Sequence, residues 1–297
     1  MEKFKLQGLC VALVTPFKAD KSVDFESLAN IVDHLLAGES DFIVVLGTTG
    51  ETPALSAEEK LAIRDFVRRR VNGRLPLVLG VGGNNTMALV EQLNSDDFSG
   101  FSAILSVVPY YNKPSQEGIY QHYKAIAEAS PLPVILYNVP GRTGVNMSAD
   151  TTLRLARDFH NIIGVKEASG NFTQIEEIIK NKPARFNVIS GDDAITFPLM
   201  TLGATGVISV IGNAFPREFG RMVRLCLRGE FDAALPIHFR FTELFNLLFV
   251  DGNPAGVKCT LHQLGLCENE LRLPLVPTRV STNEKIHNIL KPLAGCD

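Results

Sequence analysis

A single lysine, Lys166, closes the apolar run Ile162-Ile163-Gly164-Val165. It is the one Lys or Arg inside any of eight short, β-branched segments of this chain. Taking an amine out of water disfavours its ammonium form, and a neutral amine can attack a carbonyl to give a Schiff base. The iminium so formed is an electron sink that makes a neighbouring carbanion accessible. A lysine at a strand end can instead snorkel, with its stem on apolar surface and its charge in water. Two features argue for the buried alternative. The preceding run is wholly apolar, and period-two alternation puts Gly164 on the same face as Lys166, leaving room for a long side chain.

Other groups could serve such an amine. Tyr137 is either a core aromatic or a proton carrier; no histidine lies in a strand segment, so a chain of Tyr and Thr hydroxyls would have to move protons. Thr48 and Thr49 sit between Gly47 and Gly50. They are simple turn residues, or hydroxyls and backbone N–H groups that suit a carboxylate. Arg142, in a Pro/Gly-bounded loop with no carboxylate within four residues, is either solvated or a bidentate carboxylate clamp. Asp192 and Asp193 are adjacent, so they point apart and lack a third metal ligand; Asp193 is expected to cap a helix starting at Ala194.

Several chemistries lack their signatures. No Gly-Lys-Ser/Thr follows GTTG, so it is not a P-loop. Gly80-Val81-Gly82-Gly83 has Asn85 where a dinucleotide fingerprint needs glycine. The six histidines form neither HExxH nor HxH, and no CxxC occurs among Cys10, Cys226, Cys259, Cys267 and Cys296. Neither a metal nor an organic cofactor is expected, and Cys10 and Cys226 read as small core residues.

The elements that must position these groups alternate. Strand candidates are Leu9–Phe17, Phe42–Gly47, Leu75–Gly82, Ala103–Val108, Pro133–Pro140, Ile162–Ser169, Phe186–Asp193 and Ala204–Gly212. Helical period fills the gaps. Asp24–Ala37 repeats Phe25, Leu28, Val32, Leu35 and Leu36; Ser56-Ala57-Glu58-Glu59 is a capping box for a helix ending at Gly73; Asn213–Gly229 carries Pro216 at its start. Continuously apolar strands alternating with helices predict a parallel sheet covered by helices, and eight units predict a closed (β/α)8 TIM barrel over 1–229. An open doubly wound sheet is the alternative architecture. Beyond 229 the strand signals stop, and Phe231–Val250, Asn253–Leu266 and Ser281–Leu293 read as a C-terminal helical extension, 230–297.

Charge excludes some partners. Lys plus Arg (29) nearly balances Asp plus Glu (32), a net charge of −3, which leaves no basic footprint for nucleic acid. No window is long and apolar enough for a membrane span, and the charged Met1–Leu6 segment has no secretory h-region, so the expected location is cytoplasmic.

The motifs GTTGE (47–51), PYYNKPSQEG (109–118), YNVPGRTG (137–144), GVKEASG (164–170) and SGDD (190–193), in this order along nearly the whole chain, resemble the dihydrodipicolinate synthase / N-acetylneuraminate lyase family of class I aldolases. The doubled threonine and the arginine of YNVPGRTG resemble the synthases more than the sialic- and sugar-acid lyases, which are the alternative activity. The resemblance implies that Lys166 forms a Schiff base with pyruvate and that Thr48 and Thr49 bind the pyruvate carboxylate. Thr48, Tyr137 and Tyr111 would relay protons, Tyr111 reaching in from a neighbouring subunit. Arg142 would hold the carboxylate of aspartate semialdehyde, and backbone groups of Gly191 and Ile208 would line the site. It also implies a homotetramer built from tight dimers. Lysine-sensitive members resemble this chain at Asn84 and Tyr110, but their two histidines are Ala57 and Lys60 here and their glutamate is Ala88, so weak or absent lysine feedback is expected. Asp251–Lys258 departs from the family pattern and is expected to lie away from the chemistry.

Overall fold

The computed structural model describes residues 4–293. Eight parallel strands close into one barrel in sequence order: β1 Gly8–Ala12, β2 Phe42–Val45, β3 Leu77–Gly80, β4 Ala103–Val107, β5 Val134–Asn138, β6 Ile162–Glu167, β7 Asn187–Ser190 and β8 Gly206–Ser209. β8 pairs back onto β1 through Cys10↔Ile208 and its neighbours. The strands are four to six residues long, shorter than the apolar runs that announce them. The surplus residues, such as 46–47, 139–140 and 191–193, leave the ladder and form the turns at the C-terminal rim.

Alternation along each strand divides the core in two. Cys10, Ala12, Phe42, Val44, Val78, Ala103, Leu105, Ile135, Tyr137, Ile189 and Ile208 fill the barrel interior. Their neighbours, including Val11, Ile43, Leu79, Ile104, Leu136, Val188 and Val207, face the helices. Small residues at positions 10, 12 and 103 leave space inside the ring. Cys10 and Cys226 are both buried thiols, and Cys296 lies outside the described residues.

The helices follow the expected order with local corrections. Phe25–Ala37 is capped by Asp24, and Ala57–Val71 opens on the complete Ser56/Glu59 capping box. That helix ends at Val71 with Asn72 as its C-cap, which leaves Gly73 at the expected C′ position, and both take a left-handed φ. The single helix expected over 231–250 is two, Phe231–Arg240 and Thr242–Leu247. The Phe241 N–H bonds to the His238 carbonyl in a tightened last turn, while its ring buries against Phe215 and Phe219. Helices Ala255–Gln263 and Val280–Leu293 complete the described chain. No described helix is long and apolar enough to cross a membrane.

Candidate active site

Lys166 lies on β6 directly opposite Tyr137 of β5. The pairing depends on a bulge. Val134 pairs with Ile162, but Ile135 pairs with Gly164, so β6 spends one extra residue, Ile163, before the ladder resumes. Lys166 thus projects into the barrel and is only 6% exposed, with Nζ 4.2 Å from the Tyr137 ring centre. Its room has a different source from the one its sequence suggests. A Cβ on Gly164 would meet Leu6 and the Asn187 carbonyl, each at 2.5 Å, near the barrel floor. Gly191, at the end of β7, makes the space: its Cβ would stand 2.9 Å from Lys166 Cε and 3.1 Å from Cγ.

Thr48 and Thr49 open a single 3-10 turn, Thr48–Gly50, immediately after β2. Two side-chain hydroxyls fix its backbone. Thr15 Oγ1 donates to the Gly50 carbonyl (2.8 Å), and Thr52 Oγ1 to the Gly47 carbonyl (2.9 Å). Thr49 is buried, and its Oγ1 accepts from Asn253 Nδ2 at 3.1 Å. The segment Asp251–Lys258 therefore does not lie away from the chemistry. The fold brings Asn253 onto the turn, and Lys258 makes a buried ion pair with Glu51 of the same turn.

Arg142 sits in the short helical turn Pro140–Thr143 beyond β5. This loop is tied down from behind by Asn138. Its Nδ2 donates to both Glu167 oxygens (3.1 and 3.2 Å), and its Oδ1 accepts from the Met147 N–H (3.0 Å). Burial pushes the Glu167 carboxyl up, opposed by hydrogen bonds from Ser169, Asn138 and Gln174. A carboxylate held by neutral donors is a rigid support for both strands, and it faces away from Lys166 by strand alternation.

These groups converge. Thr48, Thr49, Tyr137, Arg142, Lys166 and Gly191 line one cavity of about 150 Å3. Thr48, Tyr137 and Arg142 also line a neighbouring, larger cavity of about 320 Å3 that reaches Tyr110. The smaller chamber holds the amine and the hydroxyls; the larger is a wider approach to them. An amine, hydroxyls and a guanidinium around one small chamber suit a small carbonyl compound that carries an anionic group. Two expected residues stand apart. Ile208 belongs to the interior cluster that also holds Tyr137, while Val210, two residues on, lines the chamber. Tyr111 is 88% exposed, adopts a left-handed backbone (φ +72°) and does not line its own chain's cavity.

The two aspartates separate as their adjacency requires, but the helix cap is Asp192 and not Asp193. Asp192 caps helix Asp193–Thr201 by accepting from the Ala194 N–H (3.0 Å). Asp193, expected as the cap, is already helical, and its carboxylate turns inward to accept from the N–H groups of Val210 (2.9 Å) and Ile211 (2.8 Å). Burial pushes Asp193 up to about 6.

Sequence reasoning missed Asn253, Phe249 and Val210 in the cavity wall, and Glu51 and Lys258 beneath the turn. One signal was readable. Lys258 is a lone charge inside Ala255-Gly256-Val257-Lys258-Cys259-Thr260-Leu261, the same pattern that singles out Lys166. Asn253 carries no comparable mark, because only the fold brings it within reach of Thr49.

Residues 5–293 match the model of the dihydrodipicolinate synthetase family. The 4-hydroxy-tetrahydrodipicolinate synthase of Parabacteroides distasonis is 67% identical over 294 residues, covering 99% of each chain. Dihydrodipicolinate synthase of Aquifex aeolicus superposes with a TM-score of 0.93 at 42% identity, over 97% of this chain and 98% of that one. A chloride-inhibited dihydrodipicolinate synthase from Acinetobacter baumannii, solved in complex with pyruvate, gives 0.94 at 41% identity, over 98% and 99% of the two chains. With its family model matched from residue 5 to residue 293, this chain belongs to the dihydrodipicolinate synthetase family.

Proposed function

We propose that the chain condenses pyruvate with L-aspartate 4-semialdehyde to give 4-hydroxy-tetrahydrodipicolinate, as the names of its relatives describe. The observation that carries this reading is the buried Lys166 amine facing Tyr137, with the Thr48–Thr49 turn and Arg142 around the same small cavity. The reaction belongs to the branch that leads to diaminopimelate and lysine.

In the proposed sequence, Lys166 Nζ adds to C2 of pyruvate, and loss of water leaves an iminium. The Thr48–Thr49 turn holds the pyruvate carboxylate. Loss of a methyl proton gives the enamine, whose carbon attacks the aldehyde of the second substrate while Arg142 holds that substrate's carboxylate. The substrate's own amine then adds to the iminium carbon and displaces Lys166, closing the ring and restoring the enzyme. Hydroxyls of Thr48, Tyr137 and Tyr111 carry the protons. Tyr111 lies open on the chain surface, which supports its donation to a neighbouring subunit's site within a tetramer of two tight dimers. Gly191 and Val210 complete the wall. Within the described residues we assign 4–229 to the catalytic barrel and 230–293 to its helical extension, and the expected compartment is the cytoplasm.

Offering pyruvate with either aspartate semialdehyde or N-acetylmannosamine tests the assignment. The reading expects kcat/KM to favour the semialdehyde by orders of magnitude; the reverse preference would assign the chain to the lyase branch.

A further inference from the structure

We propose that Lys258, outside the barrel sheet, is a positioning residue for the ketoacid carboxylate: through Glu51 it holds the Thr48–Thr49 turn in its binding geometry. The inference rests on the reading of that turn as the pyruvate carboxylate site. Glu51 is the hinge of the turn. Its N–H closes the Thr48–Gly50 turn on the Thr48 carbonyl (3.2 Å), and its own carbonyl accepts from Ala54 (2.8 Å) in the next turn, Thr52–Ala54. To do both it takes a left-handed conformation (φ +51°), which a residue with a Cβ adopts rarely and keeps only when its surroundings fix it.

The surroundings that fix it come from the C-terminal extension, from helix Ala255–Gln263 and the segment that follows it. Glu51 Oε1 lies 2.5 Å from Lys258 Nζ, and Oε2 accepts from the Arg272 N–H at 3.0 Å. Both side chains of the ion pair are fully buried. Lys258 Nζ also donates to the Glu270 carbonyl (2.8 Å) and sits 4.1 Å from the Phe17 ring centre. Asn253, five residues before Lys258, reaches Thr49 Oγ1. One short segment thus grips the turn at the threonine and at the glutamate that closes it. A buried ion pair is a poor source of net stability, because desolvation offsets the attraction, but its geometry is specific. That is what a binding turn needs, since small displacements of a binding group are costly.

The test separates position from stability. The double variant Lys258→Met/Glu51→Gln removes both charges at similar volume, so no buried charge is left alone. Variant and wild type are treated with borohydride at increasing pyruvate, with no aldehyde present, and folding is followed by near-UV circular dichroism and thermal melting. With the fold retained, the pyruvate concentration for half-maximal inactivation should rise about tenfold while the limiting rate changes less than about twofold. If the double variant does not fold, Glu51→Gln alone should raise it at least about threefold. In a folded variant, an unchanged half-saturation, or a loss confined to the limiting rate, overturns the proposal. Thr49→Val is the control. If it too leaves pyruvate saturation unchanged, the reading of the turn itself fails; if it weakens saturation and the charge variants do not, only the role of Lys258 falls.

Discussion

Gly191 faces the aliphatic stem of Lys166 so closely that a methyl group there would stand 2.9 Å from Cε and 2.7 Å from the Ala168 Cβ. The lysine side chain thus owes its path to a glycine just beyond the adjacent strand, β7. Gly191→Ala should remain folded but swing the amine away from Tyr137. Pyruvate trapping should slow by about ten- to a hundredfold, as expected for a displaced nucleophile. Unchanged trapping kinetics would show that the lysine has another route into the cavity.

Arg142 lines the cavity from a loop held by the Asn138–Glu167 hydrogen bonds. Arg142→Ala should raise the KM for aspartate semialdehyde by about ten- to a hundredfold through loss of a charge-assisted clamp, with pyruvate trapping retained. Steady-state kinetics with each substrate varied in turn, beside borohydride trapping, checks this. Loss of trapping in that variant would contradict the assigned role.

Asp193 gives the fold a pH dependence of definite sign. Burial raises its carboxyl from 3.8 to about 6, against the pull of the Ile211 and Val210 N–H groups and the Ser209 hydroxyl. A carboxyl raised on folding contributes stability that is full below its unfolded value and is lost as pH rises through its folded one. Relative to Asp193→Asn, the wild type should lose on the order of 1–3 kcal/mol between about pH 4 and 7. Urea unfolding of both proteins across that range measures the difference; a gap that widens in favour of wild type with rising pH would refute it.

Ala57 and Lys60 line a cavity of about 330 Å3 with Arg64, and the Asn84 amide donates to the Tyr110 carbonyl nearby (3.1 Å). A cationic amino acid entering that cavity would meet Lys60 and Arg64. Like charges at short range disfavour such binding. Feedback by lysine should be weak or absent in an initial-rate assay, and a low-micromolar inhibition constant would contradict this.

Much of this protein is legible in its sequence because barrel strands are apolar on both faces. Each run announces itself, and a lone cation inside one stands out. The five motifs mark the rim because the rim is where the ladder stops and polar residues can leave the core. What stayed hidden depends on long-range packing. Gly191, not Gly164, makes room for Lys166, since the bulge at Ile163 and the twist of the barrel decide which glycine faces the amine. Asn253 meets Thr49 across 204 residues of sequence, a contact no local pattern encodes. The cap fell to Asp192 rather than Asp193 by a single residue at a helix start, where the Asp193 carboxylate is turned inward onto the Val210 N–H.

Everything in the proposed chemistry passes through the nitrogen of Lys166. Reduction with borohydride in the presence of pyruvate, followed by peptide mass mapping, tests that most directly. One pyruvyl adduct is expected, on residue 166, with its loss together with nearly all turnover in a folded Lys166→Ala variant. An adduct on any other residue, or none, would contradict it.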